Sequence, residues 1–230
     1  SVREILRSTT FKWSGAATAQ LCWTLGQTNQ ARIEQTILEK HRIVGPVAHG
    51  WLSTAAYLDR RYEDGIREAR RTTELFPAFT FGHFLLAHGL VESGRYEEAL
   101  AAIKEEQKLE DNQMVLGLEG YTYARMGRRE EALAVLRRLE KPSPATAYVQ
   151  PYFVARVHAA LGDREAALTA LEKACDDRSE SLVHVEDTGG LRMDPAWEDL
   201  HAEPRFQQIL KRTGLDKWPR DLPPGFCPKK

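Results

Sequence analysis

The chain has 230 residues, 42% of them hydrophobic and 28% charged, the make-up of a globular protein rather than a disordered one. Lys plus Arg (32) balances Asp plus Glu (33) to a formal charge of −1, which argues against a nucleic-acid binder with its excess of positive charge. No apolar run approaches the roughly 20 residues of a bilayer span, and Cys22, Cys175 and Cys227 have neither metal-type spacing nor an even count for a disulfide framework.

Residues 1–11 read as an N-terminal extension without an apolar signal-peptide core, as expected for a piece of a longer, cytoplasmic polypeptide. From residue 12 a repeat sets in. A small residue recurs at Ala31, Gly65, Ala99, Ala132 and Ala167, at intervals of 34, 34, 33 and 35. A second keeps step twelve positions earlier, at Ala19, Ser53, Ala87, Gly120 and Ala155. The spacing predicts five units, 12–45, 46–79, 80–112, 113–146 and 147–181. Each is a pair of antiparallel helices whose backbones approach most closely at the two small residues.

Apolar residues recur at helical spacing within the units, as in Ile66, Ala69, Thr73 and Phe76, or Leu168, Leu171 and Ala174. Gly26, Gly94, Gly127 and Gly162 stand in the turns, where a positive φ is wanted. Arg60 replaces that glycine in the second unit and predicts a different local turn. Because each pair buries its stripe only against its neighbours, stacking predicts an elongated chain without long-range closure.

Residues 182–215 read as capping helices. Asp194-Pro195-Ala196-Trp197-Glu198-Asp199-Leu200 and Glu203-Pro204-Arg205-Phe206-Gln207-Gln208-Ile209 share one layout, with an acid placed to accept from free backbone N–H groups and Pro at the first helical position. Trp197, Leu200, Phe206, Ile209 and Leu210 are expected to cover the last repeat. Residues 216–230 form a Pro-rich tail. Its Trp218, Leu222 and Phe226 lie four apart, a spacing that predicts docking on the cap or into a neighbouring molecule's groove, the alternative being a flexible end whose Trp218 alone tucks against Leu210 and Leu215.

The repeat resembles the tetratricopeptide repeat family through its Leu-small pairs Leu52-Ser53, Leu86-Ala87 and Val154-Ala155, its aromatic Tyr123, and its closing Pro77 and Pro144. Gln35 and Glu106 depart from that pattern, Glu106 at a position usually small and buried. The resemblance implies an all-α fold, a right-handed superhelical solenoid of about five repeats with a C-terminal capping helix pair. The inner helices would line a concave groove. The cap is similar to the ends of repeat arrays appended to bacterial signalling proteins. Two functions follow: a scaffold that binds a protein or peptide segment in the groove, or a regulatory module of a larger cyclase, kinase or winged-helix regulator.

No residue pattern supports catalysis. His83 and His88 are five apart and turn away from one another, no H-E-x-x-H or C-x-x-C occurs, and no phosphate-cradling loop or nucleophile elbow is present. Glu97-Glu98 and Glu130-Glu131 open second helices, where they favour the helix dipole. Neither enzyme activity, nor a metal or cofactor, nor a nucleic-acid or membrane partner is therefore expected. The positions that the resemblance makes ligand-facing hold Trp13, Trp23, Tyr57, Phe81, Phe84, His88, Tyr121, Arg125, Tyr152 and Arg156. The Lys and Asn residues with which family members grip an acidic C-terminal tail are missing from them. Aromatics and arginines dominate binding hot spots, so these ten are the expected partner contacts, with self-association through the groove or tail as a further expectation. The competing reading is packing between neighbouring repeats, for which Trp13 and Phe81 are the clearest cases.

Overall fold

A computed structural model describes residues 46–110, 112–141, 149–182 and 190–217. The first unit, and with it Trp13 and Trp23, lies outside the described residues, as does the tail beyond residue 217.

Eight helices follow one another in pairs: α1 (Pro46–Leu58) with α2 (Tyr62–Leu75), α3 (Thr80–Glu92) with α4 (Tyr96–Leu109), α5 (Gln113–Arg125) with α6 (Arg129–Leu139), and α7 (Pro151–Ala160) with α8 (Arg164–Asp176). Among the described residues there follow a 3₁₀ turn (Glu180–Leu182), a short α9 (Gly190–Met193), a 3₁₀ segment (Pro195–Leu200), α10 (Pro204–Arg212) and a last 3₁₀ turn (Leu215–Lys217), and no strand occurs among them. Each pair packs on the next, α2 on α3, α4 on α5, and α5 on α7. The fold is an all-α solenoid.

The two columns of small residues mark the closest helix contacts. Ala87, Ala99, Ala132, Ala155 and Ala167 are fully buried, and the Ser53 hydroxyl donates across the α1–α2 contact to the Gly65 carbonyl at 2.9 Å. Gly117 shows how tight the stacking of successive pairs is: a β-carbon there would lie 2.7 Å from Phe153 Cβ on α7. Neither atom can swing aside, because the backbone sets both. Gly117→Ala gains about 1 kcal/mol in helix propensity and loses about 1–3 kcal/mol to overpacking. A lower urea midpoint is expected; a higher one would show that α5 and α7 separate freely.

Gly94, Gly127 and Gly162 take φ values of 79°, 76° and 78° in their turns. Arg60, expected to make a different turn, makes the same one with a φ of 62°. Arg61 N–H donates to the Ala56 carbonyl at 2.8 Å, as Arg95 does to Leu90 at 2.8 Å and Arg128 to Tyr123 at 2.9 Å. The bonds that close the turn outweigh the roughly 1–2 kcal/mol that a left-handed non-glycine residue costs.

Beyond α8 the chain covers the end of the stack. Trp197, Leu200, Phe206 and Ile209 are buried with Val157, Leu168 and Leu171 in one apolar cluster. Arg205 clamps α10 to α8 through a paired contact with Glu172, its Nε and Nη2 at 2.8 and 2.7 Å from the two carboxylate oxygens. Long-range closure, not expected from stacking alone, does occur. His88 on α3 meets Arg156 on α7, and Arg60 reaches Glu198 in the 3₁₀ segment. Residues 194–200 pass in front of the first helices, where Asp194 meets Arg156 and Glu198 meets Arg60.

Candidate functional site on the concave face

The centre of the concave face is a buried polar network built from side chains of each successive first helix. α1 supplies Tyr57, α3 His88, α5 Tyr121, and α7 Tyr152 and Arg156; Asp194 enters from the cap, and all six are at most 4% exposed. Arg156 is the hub. Its Nε lies 2.8 Å from Asp194 Oδ2, its Nη2 lies 2.7 Å from His88 Nε2, and its guanidinium sits 4.5 Å over the Tyr121 ring. Burial alone would weaken the Arg156 charge, but the Asp194 carboxylate and the surrounding tyrosines hold its affinity for the proton above the ordinary arginine range.

Since a guanidinium only donates, His88 Nε2 accepts, which places the proton of the neutral ring on Nδ1. The ring stacks on Tyr57 with centroids 4.2 Å apart, and the Tyr57 hydroxyl is 3.1 Å from Nε2. Burial first, and Asp194 and Glu92 after it, push the Tyr57 phenol well above its usual range, so it stays protonated. Asp194 also accepts from Tyr152 Oη at 3.2 Å and from Ala196 N–H at 2.9 Å, thereby capping its own 3₁₀ segment. Behind it the Trp197 indole rests on Tyr152, centroids 5.5 Å apart and nearly perpendicular.

An open cleft of about 550 Å³ remains between this network and solvent. Arg60, Tyr62, Glu92, Tyr121 and Arg125 form one wall; Pro195, Ala196, Glu198 and Asp199 form the other. The Tyr121 hydroxyl donates to Glu92 at 2.8 Å and accepts from Arg125 at 2.7 Å, and Arg125 also reaches Glu92 at 3.1 Å. At the mouth, Arg60 donates to Glu198 at 2.5 Å and to the Tyr62 hydroxyl at 3.1 Å.

Among the described residues the candidates do not form an exposed aromatic patch. Tyr57, Phe84, His88, Tyr121, Tyr152 and Arg156 are brought together but buried, Tyr152 and Arg156 against Asp194 and Trp197 of the cap. Phe81 is half-buried and stacks on Phe84 at 5.9 Å. Arg125 alone of the described candidates is exposed. From the sequence Asp194 reads only as a helix cap, and Arg60, Tyr62, Glu198 and Asp199 are not marked as cleft residues, whereas Glu92 holds a ligand-facing position. The arginine standing in a glycine turn was the one signal that could have pointed there. Among the described residues, no group of three or more His, Cys, Asp or Glu side chains is placed to hold a metal ion, and no helix is long and apolar enough to cross a membrane.

A family model described as tetratricopeptide repeat matches residues 81–105, 113–138 and 153–173. No curated protein matches the chain. The crystal structure of TTC0263, a thermophilic TPR protein of Thermus thermophilus, superposes with a TM-score of 0.60 over 86% of this chain and 97% of that one. At 18% identity that likeness is one of fold. Residues 81–105, 113–138 and 153–173 thus resemble tetratricopeptide repeats, and they are set in a solenoid of paired helices.

Proposed function

We propose that the chain is a protein-interaction module that binds a segment of a partner protein in the cleft on its concave side. Tetratricopeptide repeats generally mediate protein–protein contacts, and the observation that carries the finer reading is the cleft itself. It is the part of the concave face left open by the cap, and its walls carry two tyrosines and two arginines of the kinds that dominate hot spots. Of the ten residues singled out from the sequence, Arg125 and Tyr121 line this cleft. Tyr57, His88 and Arg156 act on it from behind, by holding the wall in place. The same cleft would serve a free-standing scaffold or a regulatory module within a larger signalling protein.

Arg60→Gly keeps the turn while removing the guanidinium, and Arg125→Gln keeps a donor for Glu92. The double variant should capture at least about tenfold less partner from a lysate of the source organism, since hot-spot truncations cost about 2 kcal/mol or more each, with an unchanged helical circular dichroism signal. Undiminished capture would move the site off the cleft, and no capture by the native chain would overturn the interaction reading.

A further inference from the structure

The two walls of the concave site carry opposite charge. The solenoid side presents Arg60, Arg125 and Arg156 against one acid, Glu92. Residues 194–200 present Asp194, Glu198 and Asp199 with no Lys or Arg among them. Two of these acids are seated: Asp194 on Arg156, where both side chains are at most 1% exposed, and Glu198 on Arg60, where the side chains are 64% and 41% exposed. An acidic stretch with an aromatic at its centre thus lies along the arginines of the groove as a bound peptide would. Its inner half is locked in the core by Trp197, whereas its outer half is wet.

We propose that Glu198 and Asp199 are a built-in competitor at the partner cleft, and that the partner is an acidic segment whose carboxylates replace Glu198 on Arg60 and reach Arg125. This rests on the cleft being the partner site, and it adds the partner's chemistry and a reason for its regulation. An exposed ion pair holds its partners weakly and is screened by salt, so Glu198 exchanges readily while Asp194 stays in place. Arg60 suits this role by position. Its left-handed backbone fixes the root of the side chain at the cleft mouth, and Tyr62 holds the guanidinium from the side.

The test uses the whole chain and a labelled synthetic peptide, Asp-Pro-Ala-Trp-Glu-Asp-Leu, followed by fluorescence anisotropy. Both acids are exposed, so Glu198→Ala with Asp199→Ala should fold as the native chain does. Removing a competitor of exposed-pair strength should tighten peptide binding about fivefold, and the gain should shrink as salt is raised. A peptide with Asn and Gln in place of its acids should not bind, and Arg60→Gly should abolish the gain. Equal affinity for the native and doubly substituted chains would overturn the built-in competition, and so would binding by neither. Equal binding of the neutral peptide would overturn the acidic chemistry. Partner capture that depends on Arg60 and Arg125 yet is unmoved by Glu198→Ala and Asp199→Ala would sink this inference alone, leaving the interaction module standing.

Discussion

Replacing Asp194 by alanine should cost about 3–5 kcal/mol of stability, because it strands the fully buried Arg156 charge without a counter-ion. The substitution also removes the acceptor for Tyr152 and the cap of the 3₁₀ segment at Ala196. Asp194→Asn, which keeps acceptors but not the charge, should fall between. The pair Asp194→Leu with Arg156→Leu should be milder than either single change, since neither charge is then buried alone. Guanidinium unfolding of the native chain, Asp194→Leu, Arg156→Leu and the double variant closes the cycle. Additive losses would mean that the ion pair does not couple the cap to the solenoid.

Glu106→Met should stabilise the chain, by an amount that grows with pH. Glu106 follows Ala99 and Ile103 on the buried stripe of α4, is 0% exposed, and among the described residues neither carboxyl oxygen has a hydrogen-bond partner. Burial, helped by Glu110, pushes its carboxyl up to about 8 from an ordinary 4.5. The unfolded chain releases this proton above pH 4.5 while the folded chain retains it until about 8. Within that window the unfolded state binds fewer protons, so the stability of the native chain falls as pH rises. The difference amounts to about 3 kcal/mol at pH 7, at 1.36 kcal/mol per unit. Urea unfolding at pH 5 and pH 8 should show the Glu106→Met advantage widening. A constant advantage would mean that Glu106 is ionised in the fold.

The helix pairs were legible in the sequence because their determinants are local. A period of 33 to 35 residues in two columns of small side chains, glycines in the turns, and apolar residues at helical spacing are all set by contacts between near neighbours along the chain. The burial of Ala87, Ala99, Ala132 and Ala167 follows from that pattern directly. Even the misplaced carboxyl of Glu106 showed as a departure from it.

The concave site was legible only in part. Tyr57, His88, Tyr121 and Arg156 could be placed on the inner face of first helices, since that depends on register alone. The burial of Arg156 against Asp194 could not, because Asp194 lies 38 residues beyond it in the chain. The turn at Arg60 misled for a related reason: the bonds that close it are made by backbone groups, which any residue can supply. Periodicity therefore determined the helices, their pairing and which faces look inward. Only the tertiary structure decided that the chain's own acidic segment lies in the groove, because an ion pair between distant residues leaves no repeating trace in a sequence.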